Sequence, residues 1–202
     1  NKKMKTSFYY ETEKSNKKHN HIIFYLSGHQ KLIYNDVRKF GFVKTYNKKK
    51  FLNNIHFKSL GPEPLKNDFN YKYFVNFIDG RKRNIKSLLM DQKFVSGLGN
   101  IYVNEILFLS KIKPSRQVKN LKTFEITNII KNTKKILKNA ITLGGSSIKD
   151  FSSGNGKKGS FQQKFNVYGK KGDKCSNADC NNILSKISIG NRASFYCSSC
   201  QK

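Results

Sequence analysis

The spacing of apolar positions changes twice along the chain. His21-Ile22-Ile23-Phe24-Tyr25-Leu26 and Lys31-Leu32-Ile33-Tyr34 are strand-like runs on either side of Ser27-Gly28-His29-Gln30, which has turn chemistry, so a β-hairpin is expected there. Before it, residues 4–10 alternate weakly and residues 11–20 are polar and loop-like; after it, residues 40–46 read as a further strand and Lys48-Lys49-Lys50 as a solvated loop. Gly61-Pro62-Glu63-Pro64-Leu65 marks a boundary, beyond which the period becomes helical. Asp68 is placed to cap a helix carrying Phe69, Tyr73, Phe74 and Phe77 on one side, and residues 84–91 form a short helix candidate. Residues 100–110 follow the Gly97-Leu98-Gly99 turn as another helix. Residues 123–142 carry Phe124, Ile126, Ile129, Ile130, Ile136, Leu137 and Ile141 as a stripe expected to pack into a core. Gly144-Gly145-Ser146-Ser147 ends that helix, residues 152–160 are a Gly/Ser/Lys-rich loop, and residues 165–168 resume as a strand.

Charge narrows the choice of partner. There are 40 Lys+Arg against 12 Asp+Glu, a net +28 in 202 residues. Such a surplus repels itself and calls for a polyanion, nucleic acid ahead of an anionic membrane surface. Compositional drift in an AT-rich genome accounts for part of the Lys and Asn excess, but not for ordered motifs. With 37% hydrophobic residues the chain can build a core, and its length suits one large or two small domains. It contains no apolar run of the roughly 18 residues a membrane helix needs. Asn1-Lys2-Lys3-Met4-Lys5-Thr6 neither starts with Met nor leads into an apolar signal core, so the expectation is a chain that begins inside a longer protein.

All four cysteines lie near the C-terminus, as Cys175-x4-Cys180 and Cys197-x2-Cys200 with 16 residues between the pairs. Thiolates at these spacings can share one tetrahedral ion with no open coordination position. One structural Zn²⁺ held by Cys175, Cys180, Cys197 and Cys200 is therefore expected, against two disulfides or a finger that no longer binds metal. Ile183, Ile187, Ile189 and Ser194-Phe195-Tyr196 suffice for a hairpin between the knuckles. Upstream, Gly97-Leu98-Gly99-Asn100 lets backbone amides approach a phosphate, although alone it is also an ordinary interhelical turn. Arg81, Lys82, Arg83 and Lys86 would usually be a solvated face; beside that turn and the finger they read as a DNA footprint.

In this order the motifs resemble formamidopyrimidine-DNA glycosylases. The resemblance rests on Asp36-Val37-Arg38-Lys39-Phe40-Gly41, Leu60-Gly61-Pro62-Glu63-Pro64-Leu65, Met90-Asp91-Gln92-Lys93, Gly97-Leu98-Gly99-Asn100-Ile101-Tyr102 and Glu105-Ile106-Leu107-Phe108. It continues in Gly144-Gly145-Ser146-Ser147-Ile148-Lys149-Asp150-Phe151, Val167-Tyr168-Gly169-Lys170 and Arg192-Ala193-Ser194-Phe195-Tyr196-Cys197. It implies an α+β fold: the end of a catalytic β-sandwich domain (1–60), a helix–two-turns–helix DNA-binding domain (61–160) and a four-cysteine zinc-finger β-hairpin (161–202). The implied activity is that of a base-excision glycosylase and AP lyase removing oxidised purines, 8-oxoguanine and formamidopyrimidine, from damaged double-stranded DNA through a Schiff base. The proline and glutamate of an N-terminal Pro-Glu and a hairpin lysine would carry the chemistry. None of the three is assignable here, which implies an inactive fragment rather than a natural pseudoenzyme. An endonuclease VIII-like enzyme for oxidised pyrimidines and a non-enzymatic zinc-finger module for damaged DNA are the alternatives. The Gly-Pro-Glu-Pro segment and the long 152–161 loop favour the purine enzyme, and a ribosome-associated zinc ribbon would leave Arg38 to Phe40 without a use.

Residue by residue, the resemblance makes Arg38 the group facing the orphaned cytosine and Phe40 the wedge between bases, against core packing as the ordinary reading of Phe40. Met4 would be a third void-filling side chain. His19, Arg81, Lys86, Asn100 and Tyr168 fall where the family contacts phosphates. Arg192 falls where it places the arginine that assists δ-elimination, against simple phosphate binding. Residues 152–161 would close over the flipped nucleotide. The family also implies a monomer in the bacterial cytoplasm, at the nucleoid. This sequence departs from the family in the x4 spacing of its first knuckle, in Val37 for a common proline, in Lys39 for a common arginine, and in Asn20 for an aspartate between His19 and His21.

Overall fold

A computed structural model describes residues 17–47, 54–146 and 159–202. The expected positions of Met4, the 4–10 segment, Lys48-Lys49-Lys50 and most of the 152–161 loop lie outside the described residues.

The N-terminal hairpin forms as expected. Strands β1 (Asn20–Tyr25) and β2 (Lys31–Asn35) are antiparallel, with Ile23 opposite Ile33 and Phe24 opposite Leu32. Gly28 (φ 74) and His29 (φ 57) turn the chain, and the Leu26 amide donates to the Gln30 carbonyl at 2.9 Å. Residues 40–46, by contrast, form no strand. Their apolar positions find no strand to pair with among the described residues, and Phe42 rests its ring 5.3 Å from that of His56 on the single-turn helix α1 (Ile55–Lys58).

Four helices follow. Helix α2 (Tyr71–Ile78) is capped by Asn70, whose side chain accepts from the Tyr73 amide at 3.0 Å, and not by Asp68. The helix thus starts two residues later than the sequence suggested, yet Phe69 is still fully buried, edge-on to Phe94. Phe74 meets Phe94 edge-on as well, with centroids 5.0 Å apart, and these rings seed the core. Helix α3 (Ile85–Leu89) is capped by Asn84. Helix α4 (Asn100–Leu109) runs through the middle of the body, touching α3, helix α5 (Thr123–Thr142) and the C-terminal hairpin, and is buried from Val103 to Phe108.

Helix α5 occupies the residues the periodicity indicated. Ile126, Ile129, Thr133, Ile136 and Ala140, spaced alternately by three and four, form its buried face. Phe124 and Ile141, expected in that stripe, are 61% and 67% exposed because they fall off this face. Glu125 closes the first turn by accepting from the Lys122 amide (2.7 Å) and from both terminal nitrogens of Arg116 (2.8 and 3.1 Å).

Residues 165–168 form no strand, and the reason lies on α4. The amides of Asn166, Val167 and Tyr168 donate to the Glu105 carboxylate at 2.8, 3.0 and 2.9 Å, and the Asn166 side chain adds a fourth bond at 2.9 Å. A buried carboxylate thus takes the donors that a ladder would have used. The chain ends in an antiparallel hairpin of β3 (Ser185–Ile189) and β4 (Arg192–Tyr196), joined at Gly190 (φ 55) and Asn191 (φ 57), the pair of positive φ values that suits a two-residue turn. Among the described residues no helix is long and apolar enough to cross a membrane.

Candidate nucleic-acid interface and metal centre

The four cysteine sulfurs lie within 4.8 Å of one another. Cys175 and Cys200 are 3.8 Å apart and Cys180 and Cys197 are 3.6 Å apart. A tetrahedron with Zn–S bonds of about 2.3 Å has edges of about 3.8 Å, so the set fits one zinc ion with every position filled by sulfur. Backbone geometry prepares it. The Cys175 amide donates to the Asn182 carbonyl at 2.8 Å and the Cys180 amide to the Asn177 carbonyl at 3.0 Å, so the longer first knuckle folds back on itself. The Asn177 side chain donates to the Cys200 sulfur at 3.0 Å. Burial pushes the Cys175 thiol up to about 12, whereas the Asn182 amide helps pull Cys180 down to about 7. Filling the site therefore releases protons.

The module is docked onto the helices by polar side chains. Buried Gln201 accepts from the Cys197 amide (2.9 Å) and donates to the Ile112 carbonyl (2.8 Å) just beyond α4. Asn104 accepts from the Phe195 amide at 2.7 Å. The Ala193 carbonyl accepts from both Lys86 (2.7 Å) and Asn100 (3.1 Å), and Lys86 also donates to the Ser194 hydroxyl at 2.7 Å. Lys86 is 1% exposed, unlike Arg81 and Lys82 of the same run, so the run is not one uniform solvated face. Burial, then the charge of Arg192, lower its ammonium to about 8. Arg192 itself is exposed on β4. The rest of the run divides: Arg83 pairs with Asp91 at 2.6 Å, while exposed Arg81 lies 4.5 Å over the Phe77 ring.

Asn100 is the first residue of α4, after Gly99, which supplies no side-chain cap. The preceding turn is set by Gln92, which accepts from the Gly97 amide (2.7 Å) and donates to the Leu98 carbonyl (3.0 Å), with Gly97 at φ 80. A helix N-terminus with uncapped amides thus stands beside Asn100, Lys86 and Arg192. Tyr168 is half-buried, edge-on to Phe165 and Phe195. Away from this cluster, Phe40 is 77% exposed, not packed in a core, and the Arg38 guanidinium stacks 4.7 Å over its ring. His19 lies next to that turn: its carbonyl accepts from the Asp36 amide at 3.0 Å. Sequence reasoning gave no role to Gln92, Asn104, Gln201 or Asp36. Only Gln92 and Asp36 lay within motifs that drew attention.

Residues 60–152 match the family model described as the formamidopyrimidine-DNA glycosylase H2TH domain. A formamidopyrimidine-DNA glycosylase of Rickettsia felis is 41% identical over 192 residues, covering 95% of this chain and 67% of the relative. The chain belongs to the formamidopyrimidine-DNA glycosylase family. A second such glycosylase, from a Ruegeria species, is 40% identical over 185 residues, covering 92% of this chain and 65% of its own length. The chain thus spans about two thirds of the length of the glycosylases it matches. A Lactococcus lactis family member, solved in complex with a Fapy-dG containing DNA, superposes with a TM-score of 0.83 at 38% identity, over 91% of this chain and 66% of that one.

Proposed function

We propose that this chain grips damaged double-stranded DNA for a base-excision glycosylase and AP lyase that removes oxidised purines such as 8-oxoguanine and formamidopyrimidine. The observation that carries this reading is the cluster of Lys86, Arg192 and Asn100 at the N-terminus of α4. Burial first, and then the nearby charge of Arg192, disfavour the Lys86 ammonium, and a backbone phosphate beside the two cations relieves the repulsive part while accepting from the helix amides. His19, Arg81 and Tyr168 extend the phosphate track. Arg38 faces the widowed base, Phe40 fills the stack, and Met4 is a further void-filling side chain. The domain limits follow the same division: 1–60, 61–160 and 161–202.

The zinc, held by Cys175, Cys180, Cys197 and Cys200, supplies rigidity and no reactive position. In the reaction a secondary amine adds to the sugar C1′, the damaged base leaves, and the resulting Schiff base permits β- and then δ-elimination of the strand. Arg192, presented on the rigid hairpin, assists the second elimination; the nucleophile is not assigned to any residue of this chain. The protein acts as a monomer on the bacterial nucleoid. The test is borohydride trapping of the protein encoded by the complete gene on duplexes carrying 8-oxoguanine or an oxidised pyrimidine. A covalent adduct with the purine lesion is expected, stronger reaction with the pyrimidine would move the enzyme to the endonuclease VIII type, and no adduct with either removes the glycosylase reading.

A further inference from the structure

The turn that displays Arg38 and Phe40 is organised by one carboxylate. Asp36 accepts at Oδ1 from the amides of Arg38 and Lys39, each at 3.0 Å, and at Oδ2 from the Gly41 amide (2.8 Å) and the Tyr34 hydroxyl (3.1 Å). Its backbone is tied to the hairpin on both sides: its amide donates to the His19 carbonyl at 3.0 Å, and its carbonyl lies 2.9 Å from His21 Nε2. Within this wrap Lys39 is left-handed (φ 54), a conformation that a non-glycine residue keeps only when its surroundings impose it. Gly41 is required for a different reason, since a Cβ there would overlap the Tyr34 hydroxyl.

Arg38 and Phe40 project from this framework, the ring largely exposed and the guanidinium 4.7 Å over it. Ring and guanidinium therefore stand stacked before any partner arrives. Ordering the segment costs entropy during folding rather than during binding.

We propose that Asp36, supported by Tyr34 and Gly41, is the positioning residue of this wedge. It fixes the turn so that ring and guanidinium enter a vacated base stack as one unit, and it thereby sets the preference for damaged over intact duplex. The inference rests on the reading of the chain as a binder of damaged DNA.

The test is titration of the zinc-loaded chain into two duplexes, one intact and one carrying a tetrahydrofuran abasic analogue with 2-aminopurine beside the gap. Wild-type protein is expected to prefer the abasic duplex and to raise the 2-aminopurine emission as the ring enters. Asp36→Ala is expected to cut that preference about tenfold and suppress the emission change, with zinc content and affinity for intact duplex retained. Asp36→Asn keeps an acceptor for the Arg38 and Lys39 amides and should retain most of the preference. Gly41→Ala should reproduce the Asp36→Ala defect, and in a Tyr34→Phe background, where the overlapping hydroxyl is gone, part of the preference should return; this pair decides the matter even if Asp36→Ala does not fold. Full preference and full emission change in Asp36→Ala would overturn the proposal, as would equal loss on both duplexes. Wild-type protein that shows no preference would instead remove the damaged-DNA reading beneath it.

Discussion

The helical body and the N-terminal hairpin draw on similarly apolar sequence and end in opposite states. Phe74, Phe94 and Ile129 are fully buried, whereas Phe24, Leu32, Ile33, Phe42 and Val43 remain 40–63% exposed. Periodicity defines an apolar face, but only a second layer buries it. The body has its layers, and it locks them with polar groups that reach across the chain: Glu105 to residues 166–168, Gln201 to Ile112, Lys86 to β4. In the N-terminal region the chief polar lock, Asp36, shapes a turn and hides little. Among the described residues only the body has a second layer, and the Arg38–Phe40 turn stands out in the open.

The strongest way to break this comparison is to take from the body the zinc proposed at its four cysteines. Cys197→Ser, or a strong chelator, should release the zinc and melt β3–β4 while leaving β1–β2 in place, because structural zinc contributes about 10–16 kcal/mol in small fingers. Zinc release followed together with far-UV circular dichroism would check this; a hairpin that survives would mean that Phe108, Val167, Leu184 and Phe195 suffice as its core. Next in size is Glu105→Ala, which strands the buried donors of residues 166–168. A loss of about 3–5 kcal/mol is expected, since each buried donor left without a partner costs about 1–3 kcal/mol. In a chain of this size that lowers the melting temperature by roughly 10 °C, readable by calorimetry.

How far this was legible from the sequence depends on the range of the forces involved. Helix α5 was read at its true limits because twenty residues of regular spacing outweigh local noise, yet Phe124 and Ile141 were drawn into its stripe because a face is narrower than a list of apolar residues. The cysteine spacing carried the gathering of the four sulfurs directly. The cap of α2 was misread because Asp68 and Asn70 have equivalent capping chemistry, and only the path of the backbone decides between them. The 165–168 strand failed because Glu105, about sixty residues earlier, takes its amides, and the burial of Lys86 went unread because the hairpin that covers it lies more than a hundred residues later. Neither contact leaves a local signature.

A paired substitution sharpens the comparison at intermediate scale. Phe74→Ala should cost about 3–5 kcal/mol of stability, as expected for a ring removed from a closed core. Phe40→Ala should change stability by no more than about 0.5 kcal/mol, since its ring is already exposed, while weakening binding to abasic duplex. Chemical denaturation of both variants, with fluorescence anisotropy on the second, separates holding from display. A large stability loss in Phe40→Ala would show that the turn is part of a core.

The smallest effect is the most diagnostic of how body and ligand meet. Lys86 ordinarily would titrate at 10.5 and here does so at about 8. Between those values the unfolded chain binds more protons than the folded one, so stability should rise with pH across that window. DNA affinity should move the other way, because the phosphate proposed between Lys86 and Arg192 would favour the proton that the fold disfavours. Measured on zinc-loaded protein, which keeps the thiols out of the titration, affinity should fall severalfold as pH rises through about 8, well before ordinary lysines discharge. Lys86→Met keeps most of the apolar stem, so it should remove both pH dependences and reduce the salt slope of binding by about one. An affinity flat between pH 7 and 9 would mean that the bonds to Ala193 and Ser194 hold the proton on Lys86 unaided, making it a strut of the body and no part of the DNA surface.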